Sequence, residues 1–235
     1  MRTVILHYHL FKNAGTSVDH LLQSNFQNGW GNREFPGRGG NNTTLVRDWI
    51  SDTPELSAFS SHTMLGPMPQ IKGVRVVPFM LLRDPIERIV SAYHFERRQK
   101  AETRGARLAR QHDLSGYVTA RLATPGDRQC RNFQTARLAG MMPGRATETD
   151  RARQALEKLR RAGVVGLVSD FDSAIALLAR RLQKTFPDFN VTPVRANTAT
   201  RPKSQVPGDL LDLLARVNRN DLALVDHLRT QLAAA

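Results

Sequence analysis

One cysteine, Cys130, stands in a chain of 235 residues. A lone thiol excludes an internal disulfide and any metal centre built from several cysteines. Aromatic residues make up only 6%. They fall mostly at core-like spacings, not as the surface ring-and-cation pattern of a nucleic-acid binder. Long hydrophobic runs are missing too. Val74 to Leu82 is the strongest apolar stretch; Arg75 interrupts it, and it is far shorter than the ~20 residues that span a bilayer. The opening Met1-Arg2-Thr3-Val4-Ile5-Leu6 starts like a secretion signal. His7, His9 and Lys12 follow at once and no small-residue cleavage site appears, so it reads as a first strand and a cytoplasmic location is expected. Acidic side chains are scarce: 21 Asp and Glu against 34 Lys and Arg leave a net charge of +13. Such a balance suits polyanionic partners, whether nucleotides, acidic glycans, nucleic acid or an anionic surface.

The chain is 40% apolar, enough for one globular domain over residues 1–235. Val4 to Leu10 reads as a buried strand. It gives way at Lys12-Asn13-Ala14-Gly15 to a helix with an apolar stripe of Val18, Leu21, Leu22 and Phe26. Thr16 is expected to cap that helix, with Asp19 closing a capping box. Residues 27 to 44, rich in Gly and Asn, read as a loop. Leu56 to Ser60 reads as a strand ending at Ser61-His62, and Val74 to Leu82 as the strongest strand. After it Asp84 offers a cap, Pro85 takes the first helical position and Glu87 completes a capping box. Helical patterns follow at Leu114 to Leu122, Arg131 to Leu138 and Asp150 to Arg161. Val164 to Val168 is a fourth strand. Ser169 with Asp172 caps a helix to Leu182, Phe189 to Val194 is a short edge strand, and two helices close the chain. Strands alternating with helices predict an α/β fold around a parallel sheet, with ligands at the carboxyl ends of the strands. Lys12, His62 and Arg83 each follow directly after a strand.

Two segments carry the chemistry. In Lys12-Asn13-Ala14-Gly15-Thr16-Ser17, Gly15 lets the backbone approach an anion. The N–H groups of Gly15, Thr16 and Ser17 open a helix, and two hydroxyls stand beside them. The order differs from the nucleotide-triphosphatase loop GxxxxGK[ST], in which Lys follows the last Gly and a hydroxyl then meets magnesium. In the second segment, Arg83 ends an apolar strand, a costly place for a guanidinium without an anion or carboxylate. Ser91, two helical turns past Asp84, can share an anion with Arg83 only if the strand end bends over the helix flank. Pairing of Arg83 with Asp84 or Glu87 is the alternative.

Together the segments resemble the sulfotransferases that use 3′-phosphoadenosine 5′-phosphosulfate (PAPS). The likeness is nearest to the carbohydrate group that includes heparan sulfate 2-O-sulfotransferase, and to its bacterial relatives. It rests on His9-Leu10-Phe11-Lys12-Asn13-Ala14-Gly15-Thr16-Ser17, where Phe11 replaces a frequent Pro, and on the stretch Leu81 to Tyr93. Weaker likenesses lie at Ser60-Ser61-His62, Asn132 to Gly140, Val165 to Phe171 and Asn218 to Asp221. The resemblance implies a P-loop-like three-layer fold. It also implies a 5′-phosphosulfate site at Lys12, Asn13, Ala14, Gly15, Thr16 and Ser17, and a 3′-phosphate site at Arg83 and Ser91. A late segment around Thr200, Arg201 and Lys203 would close over the nucleotide. Lys12 would offset charge on the leaving oxygen and His62 would take the acceptor's proton, with 3′-phosphoadenosine 5′-phosphate (PAP) as product and no metal required.

His7, His9 and His94 compete with His62 for the base role, and His9 is expected to orient the lysine loop. Some relatives use a Glu as base; none follows the second strand read here. The basic stretch 97 to 112 and the loop 27 to 44 are either flanks of an acceptor site or solvated surface. A P-loop kinase would need a magnesium-binding hydroxyl and acid and a Lys after the glycine, an order not present. A nucleic-acid-binding protein rests on charge alone, so no nucleic-acid partner is expected. An acidic or polyhydroxyl glycan suits a basic cleft as acceptor. Its identity and the oligomeric state are not written in the sequence.

Overall fold

The structure, a computed structural model, describes residues 1–36, 40–192 and 206–234. Five strands among these form one parallel sheet: β1 (Arg2–Tyr8), β2 (Trp30–Asn32), β3 (Ala58–Ser61), β4 (Val74–Leu82) and β5 (Val164–Leu167), in the order β2-β3-β1-β4-β5. β1 is central, pairing Leu6 with Phe59 on one side and with Pro78 on the other. Side chains alternate across each strand. Val4, Leu6 and Tyr8 of β1 and Val76, Met80 and Leu82 of β4 pack on one face. Ile5 with Val77, Phe79 and Leu81 pack on the other. Burial on both faces is the mark of a parallel sheet covered by helices.

Helices α1 (Gly15–Phe26) and α8 (Phe171–Leu182) cover the second face through Val18, Leu21, Leu22, Ile175 and Leu178. The first face packs on α2 (Thr43–Asp52), α6 (Phe133–Ala139), α7 (Glu148–Ala162) and α10 (Arg219–Ala233). A separate apolar cluster joins α3 (Pro85–Arg98), α4 (Arg104–Gln111), α5 (Leu114–Leu122) and α9 (Gly208–Val217), through Ile89, Tyr93, Ala109, Tyr117 and Leu214.

Pro78 lies inside β4, where a missing N–H normally rules out a central strand. It is tolerated because its neighbour on the β5 side is Gly163, one residue before β5 begins. A Cβ on Gly163 would stand 2.0 Å from the Pro78 carbonyl oxygen.

Several local expectations need correction. Trp30–Asn32, inside the stretch read as a loop, is a strand paired in parallel with β3. The α1 cap is not Thr16, which is exposed, but Ala14 in left-handed backbone with no side-chain cap. Asp19 is turned instead to His7, His9 and Ser60. Helix α8 is preceded by Asp170, again without a side-chain cap, so Ser169 does not serve. The described part of Phe189 to Val194, through residue 192, is not a strand. Asp84 does cap α3, accepting from the N–H groups of Ile86 and Glu87 at 3.0 and 3.1 Å, and Pro85 takes the first helical position.

One buried carboxylate secures the short helix α6. Asp221, 0% exposed, accepts from Gln134 N (3.1 Å), Thr135 N (2.7 Å) and Thr135 Oγ1 (2.7 Å). Its charge also offsets the fully buried Arg88 guanidinium, which rests on the Phe133 ring. Asp221→Ala strands those donors and that cation, and each buried unsatisfied polar group costs ~1–3 kcal/mol. Urea denaturation should show a loss of about 3 kcal/mol. A change below about 0.5 kcal/mol, the level of an ordinary surface substitution, would contradict this role.

Candidate active site

Parallel strands place all their carboxyl ends along one edge of the sheet. There β1 leads to Lys12, β2 to Glu34, β3 to His62 and β4 to Arg83. Lys12 and Ala14 both adopt left-handed backbone, at φ 65° and 59°. That conformation costs a non-glycine residue ~1 kcal/mol or more and concentrates at functional sites. The turn delivers the chain into α1 at Gly15, whose missing side chain is filled by the His9 ring. A Cβ there would stand 1.9 Å from His9 Cδ2.

The two motifs read from the sequence touch. Arg83, 8% exposed, donates from Nη1 to the Lys12 carbonyl at 3.1 Å, and its Nε lies 3.5 Å from Glu87 Oε2. The guanidinium thus runs along the flank of α3. Ser91 lies one helical turn beyond Glu87 and one before Phe95, on that same flank. Phe95 in turn meets the Phe11 ring and carries the Lys12 ammonium 4.4 Å above its own. Glu87 is therefore the partner of Arg83, and its side chain serves that contact.

Gln134 ties the motifs from beneath. Its Oε1 accepts from Asn13 Nδ2 and from the Arg83 N–H, each at 2.8 Å, and its Nε2 donates to the Arg83 carbonyl at 2.7 Å. Asn13 Nδ2 donates as well to the Leu81 carbonyl at 2.7 Å. Gln134 is 0% exposed and Asn13 2%, so these bonds face no competition from water. Asn13 is accordingly an anchor of the loop.

Burial, then the repulsion of Arg83 and Arg98, pushes the Lys12 ammonium below its ordinary range. Burial also lowers Arg83, against the opposing pull of Glu87 and Asp84. Cations gathered this way favour a bound anion, and the uncapped N-terminus of α1 beside them adds its dipole.

A stack of imidazoles forms the other half of the site. The rings of His7 and His9 lie 5.2 Å apart, and those of His9 and His62 3.7 Å. His7 and His9 are buried, and each donates from Nδ1 to a different oxygen of Asp19, at 2.8 and 2.9 Å; Ser60 Oγ also donates to Asp19. These three residues bring metal-ligand atom types together, and the hydrogen bonds account for their arrangement. Burial opposes the Asp19 charge, but the bonds from His7, His9 and Ser60 outweigh it and hold the carboxyl well below its ordinary range. Burial dominates at His9 and lowers it, against the pull of Asp19.

His62 sits at the rim, its side chain 43% exposed. Glu34 Oε1 accepts from His62 Nδ1 at 2.8 Å and from its backbone N–H at 3.2 Å, while Oε2 accepts from Thr63 Oγ1 at 2.7 Å. Arg137 Nη2 donates to the His62 carbonyl at 2.5 Å. Burial raises Glu34, and the bonds from Thr63 and His62 more than reverse it, leaving the carboxyl below its ordinary range. His94, another candidate base, lies on α3 beside Tyr93, with 5.1 Å between their rings. Thr200, Arg201 and Lys203 lie outside the described residues.

Sequence reasoning missed Glu34, Gln134 and Arg137. Glu34 follows a strand too short to show as one. Gln134 and Arg137 lay within a stretch singled out only for its likeness to relatives.

With this geometry, comparison with known proteins is specific. The sulfotransferase family profile matches residues 2–224. A protein of Archaeoglobus fulgidus, described only as uncharacterized, is 34% identical over 242 residues, covering 95% of this chain and 94% of its own. The chain belongs to the sulfotransferase family. It is thus a PAPS-dependent sulfotransferase, and its parallel sheet flanked by helices is the P-loop-like fold of that class. No helix among the described residues is long and apolar enough to cross a membrane.

The buried histidine–carboxylate cluster sets an acid limit on stability. His9 is lowered when folded, so the unfolded chain binds its proton first as pH falls through the ordinary 6.5, and stability drops from there. Asp19 is also lowered; its contribution is complete above the ordinary 3.8 and is lost as pH falls below that. Denaturation midpoints should fall from pH 7 downward and fall faster below about pH 4. Asp19→Asn should cost about 2 kcal/mol at pH 7 and flatten the acid limb. An unchanged acid limb in that variant would show that the cluster does not set it.

Proposed function

We propose that the chain moves the sulfuryl group of PAPS to a hydroxyl of a carbohydrate or glycoconjugate by in-line displacement. The observation that carries this reading is the direct contact between the lysine loop and the Arg83 segment, which crowds Lys12, Arg83 and Arg98 together. An adenosine nucleotide with phosphates at both its 5′ and 3′ positions matches that charge.

Its 5′ end meets Lys12 and the backbone N–H groups of Gly15 and Thr16 at the start of α1, with Asn13 and Ala14 shaping the turn; the Ser17 N–H, expected to join them, donates to the Ala14 carbonyl at 3.0 Å. Its 3′-phosphate meets Arg83 and Ser91 on the flank of α3. The donor supplies the sulfuryl group and departs as PAP. Lys12, already destabilised as a cation by burial and by its neighbours, gains most from the negative charge that develops on the bridging oxygen. His62 takes the proton of the acceptor hydroxyl, the general-base task that imidazoles most often perform. Its exposed position at the rim supports the choice over His7 and His9, which are buried. Fixing both reactants in line lowers the remaining barrier. The carbohydrate class rests on the likeness of Leu81 to Tyr93 to the heparan sulfate 2-O group, and on the net positive charge.

Calorimetry with PAP tests the donor half. Wild type should bind without added metal. Lys12→Ala and Arg83→Ala should each weaken binding about 10- to 100-fold, the worth of a charge-assisted contact. Binding of ATP with magnesium, and none of PAP, would replace this reading with a kinase. Salt-sensitive binding of generic DNA with no nucleotide affinity would replace it with a nucleic-acid binder.

A further inference from the structure

We infer that Glu34 is a positioning residue for His62: it fixes the imidazole as the Nδ1–H tautomer and leaves the Nε2 lone pair to accept the acceptor's proton. The inference deepens the proposed function and rests on His62 being the base. Three contacts argue for it. Glu34 Oε1 takes both the ring Nδ1–H (2.8 Å) and the backbone N–H (3.2 Å) of the same residue, so ring and main chain are set by one oxygen. Glu34 Oε2 takes the Thr63 hydroxyl (2.7 Å), and Thr63 Oγ1 in turn accepts from the Phe35 N–H (2.6 Å). The two loop segments therefore hold each other. Phe35 is buried against Trp49, which anchors the base of the Glu34 loop in the core. His9 covers one face of the His62 ring and Arg137 holds its carbonyl.

A neutral imidazole carries one N–H, and a carboxylate accepts but never donates. A carboxylate on Nδ1 therefore selects the tautomer with the lone pair on Nε2. In the transfer, the acceptor oxygen forms its bond to sulfur as the bond from sulfur to the phosphate oxygen breaks. The bonding pair leaves with PAP, and the hydroxyl proton moves to His62 Nε2. Glu34 then faces an imidazolium, which it stabilises as a charge pair. The proton passes to solvent at the exposed rim, and no oxidant or further reactant is needed.

Nitrogen-15 correlation spectra of imidazole-labelled protein saturated with PAP read the tautomer directly, apart from any turnover. Wild-type His62 should carry its proton on Nδ1. In Glu34→Ala the population should move toward the Nε2–H form, with PAP affinity and melting temperature little changed. Glu34→Asp should restore part of the wild-type pattern. Transfer of labelled sulfate from PAPS to desulfated heparin adds a second readout. Glu34→Ala should lower kcat at least about tenfold with the KM for PAPS unchanged. A wild-type His62 protonated on Nε2, or a tautomer unmoved in Glu34→Ala, overturns the inference. Full turnover in Glu34→Ala with none in His62→Ala overturns it while sparing the base assignment. Full turnover in His62→Ala removes the base assignment and the catalytic role of Glu34 with it, leaving the donor site standing.

Discussion

The side-chain amide of Gln134 holds together two loops that neither sequence proximity nor the sheet itself would align. The lysine turn follows β1 and the arginine segment follows β4. Those strands are neighbours, yet pairing fixes only their backbones up to the last residue. Past that point Gln134 bonds Asn13 on one side and both the N–H and carbonyl of Arg83 on the other. Asp221 holds the helix that carries Gln134. A buried amide of this kind is worth most when all its partners are present, because each would otherwise be an unsatisfied group away from water.

The electrostatics divide across the same edge. On the α3 side, cations crowd one another and are partly balanced by Glu87. On the β3 side, two carboxylates serve a stack of imidazoles, Asp19 in the interior and Glu34 at the rim. Gly15 joins the halves, since the His9 ring occupies the space its side chain would need. A shift of the lysine turn would therefore displace the His9 ring, and with it the His62 ring 3.7 Å away. The proposed anion site and the proposed base are therefore mechanically adjacent.

Much of this was legible from residue pattern. Val74 to Leu82 matched its strand because its residues, Arg75 apart, suit burial and Asp84-Pro85 marks the helix that follows. The Pro78 exception depends on Gly163, some 85 residues away, which no local rule sees. β2 escaped notice because three residues in a Gly- and Asn-rich stretch have no period to read; they are a strand only through pairing with β3. Thr16 looked like a cap because hydroxyls usually are, but the α1 N-terminus is uncapped by any side chain. Asp19 looked like a capping partner and instead accepts hydrogen bonds from His7 on β1 and from His9 just beyond it. Lys12, Arg83 and His62 were visible because each sits at a strand end. Glu34 and Gln134 act through contacts 28 and 51 or more residues apart in sequence, and spacing carries no trace of those.

A crystal structure with bound PAP tests the central claim most directly. The 5′-phosphate should lie against the Gly15 and Thr16 backbone N–H groups beside Lys12. The 3′-phosphate should touch Arg83 and Ser91, with the Gln134 bonds intact beneath both. A nucleotide bound away from the carboxyl edge of the sheet, or one whose two phosphates do not bridge these loops, would contradict the account.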